Sequence, residues 1–286
     1  SNLLESIEFI SHLKSNRALS DKDLILNHSE YSSLTAQIDF QNDLKIDLFR
    51  KGGKKIYVNG LLLKKQGDIK NYIRSVCFSS NDINIVKGEP SFRRSWLDKV
   101  VSQIEPVYIE LLSRFNKLLK QRSHFWRSEI SKEYKSKNLI DSFDSQMALI
   151  GTRIYRRRRR ALKKIQPFVE YWHHYLSKSK ENININYLSG IITTECVDDE
   201  KLIISTFLDK LLDQREFEQF TSKCSIGPHR DDVEFLINDI SIRKFGSSGQ
   251  QRTMILALKM AEIDFLRNII SVNPILILDD VLAELD

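Results

Sequence analysis

Cysteine, proline and glycine are scarce in this 286-residue chain, and each scarcity excludes something. The three cysteines, Cys77, Cys196 and Cys224, are odd in number and far apart, with no Cys-x-x-Cys pair. That argues against a disulfide framework or a thiolate zinc site and leaves buried free thiols in a reducing compartment. Ten glycines and five prolines exclude collagen-like and low-complexity architectures. No apolar run nears the ~20 residues a membrane-spanning helix needs. Ser1 to Glu5 offers neither the basic leader nor the small-residue cleavage site of a signal peptide, so cytoplasm is the expected location. The hydrophobic content of 41% suffices for a real core. Forty-four Lys and Arg against 38 Asp and Glu leave a formal +6, which permits a nucleic-acid partner without demanding one.

Hydrophobic spacing divides the chain. Leu3, Leu4, Ile7, Ile10 and Leu13 recur at three to four residues and predict an amphipathic helix. Between Leu34 and Val58 the pattern alternates and predicts short strands, and Asn59-Gly60 suits the two positive φ angles of a type I′ hairpin. A buried strand is expected over Ile73 to Phe78. From Phe92 to about Lys178 the reading is helical, interrupted near Ser131 to Asn138, with a kink or fresh start expected at Pro167. No seven-residue repeat is sustained there, so a long coiled coil is not supported. Val233, Phe235 and Ile237 lead through Asn238-Asp239 into a second expected hairpin. A helix from about Gly249 to Asn268 precedes the aliphatic run Ile275 to Leu278. The predicted class is α/β: a head with a mixed sheet and an antiparallel β unit, interrupted by a helical arm.

The sharpest motif is Ile275-Leu276-Ile277-Leu278-Asp279-Asp280. Four aliphatic residues predict a strand buried on both faces, as in parallel sheets, and ligands sit beyond the carboxyl ends of such strands. One carboxylate there can hold Mg²⁺ and its neighbour can orient an attacking water, the chemistry of a Walker B element. A core strand capped by two solvated acids is the alternative. Gly246-Ser247-Ser248-Gly249-Gln250-Gln251-Arg252 opens the preceding helix. Its small residues leave N–H groups and a hydroxyl open to an anion, or form an ordinary N-cap.

With these elements on one chain, the sequence resembles the RecF family of bacterial recombination mediators, whose fold is an ABC-type ATPase head with an inserted arm. Asp82 to Pro90 with Arg93-Arg94 and Leu97-Asp98 resembles one family signature, and Gly227-Pro228-His229-Arg230-Asp231-Asp232 resembles the second. Gly246 to Arg252 resembles the ABC signature loop, Asp279 to Asp286 a Walker B element with its D-loop, and Ser1 to Glu5 the segment closing a Walker A loop. Gly246, Ala283 and Ser80 depart from the leucine, serine and proline commoner at those positions. The resemblance divides the chain into 1–100 and 191–286 as parts of the head and 101–190 as the arm. It also implies that the Gly-rich loop and lysine before Ser1, and the strand and switch histidine after Asp286, are not in this sequence.

The resemblance further implies ATP and Mg²⁺ as cofactors. Ser1 and Asp279 would contact Mg²⁺, and Asp280 would be the catalytic residue that polarises water. Ser1, Ser247, Gly249 and Gln250 would bind ATP, the signature residues acting across an ATP-dependent homodimer. A weak ATPase is expected of a full-length protein. The implied function is DNA binding in replication and recombinational repair, at single-stranded, gapped or junction DNA, supporting recombinase loading and the SOS response, with RecO and RecR as partners. A chromosome-organising ATPase of the long-armed type is the alternative. His229 and its acidic neighbours read as a structured turn rather than a metal site, and His173-His174 as packing.

One feature is read from the residues alone. Arg153, Arg156, Arg157, Arg158, Arg159, Arg160, Lys163 and Lys164 form a tract without an acid. Five successive helical positions cover more than a turn, so the arginines cannot all face one partner. A solvated, self-repelling surface and a DNA-backbone contact both remain open.

Overall fold

Asn59 and Gly60 hold φ of 50° and 78° and turn β3 (Gly53–Val58) into β4 (Leu61–Leu62), as the sequence pattern predicts. The computed structural model describes residues 2–15, 18, 20–128, 136–178, 181–191 and 198–279. β1 (Tyr31–Ile38) and β2 (Asn42–Phe49) complete an antiparallel sheet in the order β1-β2-β3-β4. Strand alternation sends Leu44, Ile46, Leu48, Ile56 and Val58 to one face, where they pack on Phe9, Ile10 and Leu13. Two of those three, Phe9 and Ile10, belong to α1 (Asn2–His12).

Lys70 lies in the same unit, fully buried, its ammonium donating to the Ser11 carbonyl at 2.5 Å. Burial, aided by the charges of Arg74 and Lys99, pushes its pKa down to about 7. The unfolded chain therefore binds a proton that the folded one has lost above pH ~7, and stability should rise with pH from ~7 to ~9, beyond which the raised Cys77 thiol opposes it. We expect urea unfolding to show a slope approaching about 1.4 kcal/mol per pH unit there, and Lys70→Met to abolish it. A wild-type slope of zero would show that Lys70 keeps its ordinary affinity for protons.

β5 (Ser75–Ser79) pairs in parallel with β9 (Ile275–Asp279). The parallel pairing matches expectation, but burial of β9 does not. Ile277 is buried, whereas Ile275, Leu276 and Leu278 are about half exposed at 46%, 48% and 52%. β9 has β5 alone as a described neighbour, and the buried cluster of Val76, Phe78, Ile263 and Leu266 lies between β5 and α9 (Ser248–Ile270).

Between these strands run α2 (Ile83–Lys87), α3 (Pro90–Ile104), α4 (Val107–Arg127) and the 42-residue α5 (Ser136–Ser177). α5 does not end at Pro167. Phe168 packs edge-on against Phe265 of α9, and Trp172 Nε1 donates to Asp264 at 2.7 Å, so tertiary contacts hold the turns that follow the proline. β6 (Ile183–Leu188), inside a stretch read as arm, pairs antiparallel with β7 (Asp232–Ile237), which turns through Asn238 and Asp239 (φ 49° and 63°) into β8 (Ile240–Ser241). α6 (Glu200–Asp213), α7 (Arg215–Thr221) and α8 (Ile242–Phe245) fill the remainder. One cluster joins α3, α4, α5, α6, β6, β7 and α9, with Trp96, Tyr108, Phe115, Ile154, Phe207 and Phe265 buried in it. Cys77 and Cys224 are free and buried, and burial pushes the Cys77 thiol up to about 12; Cys196 lies outside the described residues.

Candidate functional site

Register places Asp279 opposite Ser79, so the carboxyl ends of β9 and β5 lie side by side. Immediately beyond β5, the Ser79 N–H donates to Asp82 Oδ2 at 2.7 Å, and Asp82 Oδ1 pairs with Lys259 Nζ at 3.0 Å. Lys259 comes from α9 and is 8% exposed; Glu262, one turn on, stands 4.0 Å away and accepts from Trp96 Nε1 at 2.7 Å. Burial opposes the Lys259 ammonium, but the Glu262 and Asp82 carboxylates outweigh it and hold its pKa above the ordinary value. Glu262 is itself raised by burial, partly offset by Lys259. α9 is thus bound by an ion pair to the strand end beside Asp279.

Of the residues expected to bind Mg²⁺ or act on water, Asp279 is described; Ser1 and Asp280 lie outside the described residues. No group of three His, Cys, Asp or Glu able to hold a metal gathers among the described residues. Mg²⁺ typically takes one or two carboxylates and completes its shell with water and phosphate oxygens, so a strand-end carboxylate is a donor of the right class.

Both readings of the signature loop have a physical basis. Ser247 is the N-cap of α9: its Oγ accepts from Gln250 N at 3.2 Å, and Gln250 Oε1 accepts from Ser247 N at 3.0 Å. This capping box uses the serine hydroxyl and the Gln250 amide. Ser248 and Gly249, the first helical residues, are exposed, and their N–H groups have no intrahelical acceptor. A Cβ on Gly249 would meet nothing closer than 3.9 Å, so nothing crowds the approach from within the chain. Gln250 Nε2 also donates to Glu181 at 3.1 Å.

The two signature strings, far apart in sequence, meet in one buried network. Arg93 grips Asp232 with two hydrogen bonds (2.7 and 3.0 Å) and donates to the Gly88 carbonyl at 2.8 Å. Arg94 donates to the Asp231 carbonyl at 2.8 Å. Asp231 is buried and accepts from Tyr187 OH (2.6 Å) and Ser189 Oγ (3.1 Å). His229 Nε2 lies 3.1 Å from the Cys224 carbonyl, its ring 5.9 Å from that of Phe115, and burial pushes its pKa down to about 4. Those contacts suit a structured turn. His173 is fully buried in α5, with Nε2 3.8 Å from Glu181.

Arg158 belongs to this network and corrects the reading of the basic tract. It is 2% exposed, donates to Asp98 at 2.9 and 3.1 Å, and reaches the Pro228 carbonyl at 2.6 Å and Tyr108 OH at 3.0 Å. Its sector of α5 faces the core, so as folded it cannot reach a DNA phosphate. The rest of the tract is neutralised unevenly. Arg156 pairs with Asp198 at 3.1 Å and with Glu200, and Arg153 stands 3.7 Å from Glu200. Arg157 and Arg160 share Glu105 at 2.7 and 3.5 Å, while Arg159 stacks over Tyr155 at 5.5 Å. Lys163 and Lys164 are exposed, with no ion-pair partner among the described residues.

No family model matches the chain. Curated relatives do. The chain is 42% identical to the DNA replication and repair protein RecF of Parasynechococcus marenigrum (strain WH8102) over 289 residues, covering all of this chain and 78% of that protein. It is 41% identical to the RecF of Synechococcus sp. (strain CC9605), with the same coverage. The chain belongs to the RecF family. A solved structure described as the recombination mediator protein RecF-ATP in the RecFOR pathway superposes with a TM-score of 0.88 at 33% identity, covering 100% of this chain and 76% of that one. Its fold is accordingly that of the solved RecF structure, built here from mixed helices with antiparallel and parallel sheets.

Within this RecF-family chain, Gly246 has a local reason for departing from leucine: a Cβ there would lie 2.6 Å from the Ile242 carbonyl oxygen. Sequence reasoning missed Lys259 and Glu262, and with them the ion pair that Asp82, named only as part of a signature, makes with α9. The available signal was a lysine and a glutamate three apart in the apolar stretch Met254 to Leu266, where each must find a buried partner.

Proposed function

We propose that this chain forms the head and arm of an ATP-gated DNA-binding protein of replication and recombinational repair, acting in recombinase loading and the SOS response. The observation that carries the reading is the parallel pair β5/β9, with Asp279 at its carboxyl end and the capped α9 tied to the same end through Lys259. Names of relatives and the RecF-ATP structure support the assignment of partners and nucleotide. In this reading 1–100 and 191–286 build the head and 101–190 the arm, and the protein works in the cytoplasm with RecO and RecR.

Ser1 and Asp279 would hold Mg²⁺, which when bound neutralises phosphate charge. Asp280 would orient the attacking water, and Ser247, Gly249 and Gln250 of one subunit would meet the nucleotide carried by a second copy, through the N–H groups that open α9. DNA, single-stranded, gapped or at a junction, would meet the outward part of the tract: Lys163, Lys164, Arg153 and the portions of Arg156, Arg157, Arg159 and Arg160 not held by acids. Phosphate contacts carry little sequence information, so weak sequence preference is expected. In the full-length protein, Asp280→Asn should lower ATP turnover by about 10²–10⁴-fold, the contribution of a positioned acid-base group. The same variant should accumulate an ATP-bound dimer in size-exclusion chromatography. Unchanged turnover would remove Asp280 from catalysis.

A further inference from the structure

Most arginines of the tract on α5 pair with acids, whereas four lysines of a second basic region do not. Residues 42–74 hold nine bases (Lys45, Arg50, Lys51, Lys54, Lys55, Lys64, Lys65, Lys70 and Arg74) against Asp43, Asp47 and Asp68, a net of +6 that equals the formal charge of the whole chain. Five of the nine are engaged internally. Lys70 is buried, Lys54 is bound to the Leu13 carbonyl and Asp21, and Arg50 reaches the Ser29 carbonyl. Lys45 pairs with Asp47 at 3.1 Å, and Arg74 donates to the Gln103 carbonyl at 3.1 Å. Lys51, Lys55, Lys64 and Lys65 are exposed and have no ion-pair partner among the described residues.

These four sit together in the fold. Lys51 is in the β2–β3 turn, Lys55 is on β3, and Lys64 and Lys65 follow β4, which pairs with β3. The adjoining outward face carries aromatic rings. Tyr31, 61% exposed, stands opposite Phe49 with ring centres 6.5 Å apart; Lys55 lies over Phe49 at 5.5 Å and Lys45 over Tyr57 at 5.8 Å. A shallow hollow of about 830 Å³ opens on this face, lined by Thr35, Gln37, Lys45 and Tyr57 together with the carboxylates of Asp43 and Asp47, so the backbone contact is placed on the lysines at its edge. Free lysines beside the exposed Tyr31 ring and the half-buried Phe49 and Tyr57 rings are the chemistry that follows a nucleic-acid backbone without reading its sequence.

We infer that this edge and outward face of the β1–β4 sheet contact the DNA backbone, at a surface separate from the tract on α5. The sheet packs on a core of its own with α1, so the two surfaces belong to different parts of the molecule. The inference rests on the DNA-binding reading above, and the experiment separates the two. Fluorescence anisotropy against salt would be measured for the full-length protein on single-stranded and duplex DNA. It would compare Lys51→Ser/Lys64→Ser/Lys65→Ser with Lys163→Ser/Lys164→Ser and with a charge-matched control, Lys117→Ser/Lys120→Ser/Lys201→Ser, taken from exposed helix positions.

If all three sheet lysines touch phosphates, the slope of log affinity against log salt should fall by about 2.7 on duplex or about 2.1 on single strands, with the control unchanged. The substrate showing the fall identifies the strand that is held. DNA binding with a triple-variant slope equal to that of the control overturns the inference and leaves the DNA reading standing. Absence of DNA binding in the wild type removes both. Weakened binding of polyglutamate with an unchanged DNA slope overturns the inference in favour of an acidic protein partner.

Discussion

Arg158→Met should lower the stability of the folded chain by about 3 kcal/mol or more while leaving the salt dependence of DNA affinity unchanged. Removing one partner of a buried ion pair typically costs about 3–5 kcal/mol, because the other charge is left in a poor solvent. Asp98 is 23% exposed, and water reaching it moves the expectation to the lower end of that range. The substitution also strips donors from the Pro228 carbonyl and Tyr108 OH. Arg158 joins α5 to α3 and to the 227–232 turn, so its loss should loosen that turn and with it the Arg93–Asp232 clasp. Burial alone would ease deprotonation of Arg158, but Tyr187, Tyr108 and Asp98 oppose this and keep the guanidinium charged. Arg158→Lys should recover part of the loss, since an ammonium keeps the charge and cannot reproduce the two-toothed grip. Urea unfolding and anisotropy against salt would check both halves. A slope reduced by about one with stability intact would return Arg158 to the DNA-contacting set.

That contrast shows where a sequence stops being readable. Asn59-Gly60 and Asn238-Asp239 were legible because a positive φ is a property of the residues themselves. The parallel strand ending in Asp279 was legible because four aliphatic residues before acids have few other uses. Its exposure was not, since burial depends on what covers a strand rather than on the strand. β6 escaped notice because alternation over Ile183, Ile185 and Tyr187 is short and gains meaning only opposite β7. The basic tract was legible as a mixture of facings, and helical geometry does send Arg158 inward and Lys163 outward. Which arginine turns inward was not legible. That is decided by Asp98, sixty positions earlier, and by a turn seventy positions later. Ser247 illustrates a subtler limit: a capping serine and an anion-binding loop share one sequence, and the capping box leaves the next two N–H groups available.

Lys259→Met should make the stability of the chain strongly dependent on pH below neutrality. Methionine fills much the same volume, so the change removes charge with little cavity, and two carboxylates are left facing each other across the gap. At neutral pH the variant should lose about 3–5 kcal/mol, again as one partner of a buried pair. Glu262, fully buried and already raised by its surroundings, would be raised further once the ammonium is gone. A carboxyl whose folded pKa lies above its unfolded value binds more protons when folded. Its contribution to stability is therefore fully present below the unfolded pKa and is lost as pH rises through the folded one. The gap between wild type and variant should thus be widest near pH 7 and narrow on acidification toward the ordinary glutamate range. Adding Glu262→Gln should close much of the neutral-pH gap, because Trp96 Nε1 can still donate to the amide oxygen and Asp82, 13% exposed, keeps some water. Urea unfolding of the wild type and the two variants at pH 7 and pH 5 decides the matter. A gap of equal size at both pH values would mean that Lys259 acts through its packing alone, and that charge does not bind α9 to the strand end beside Asp279.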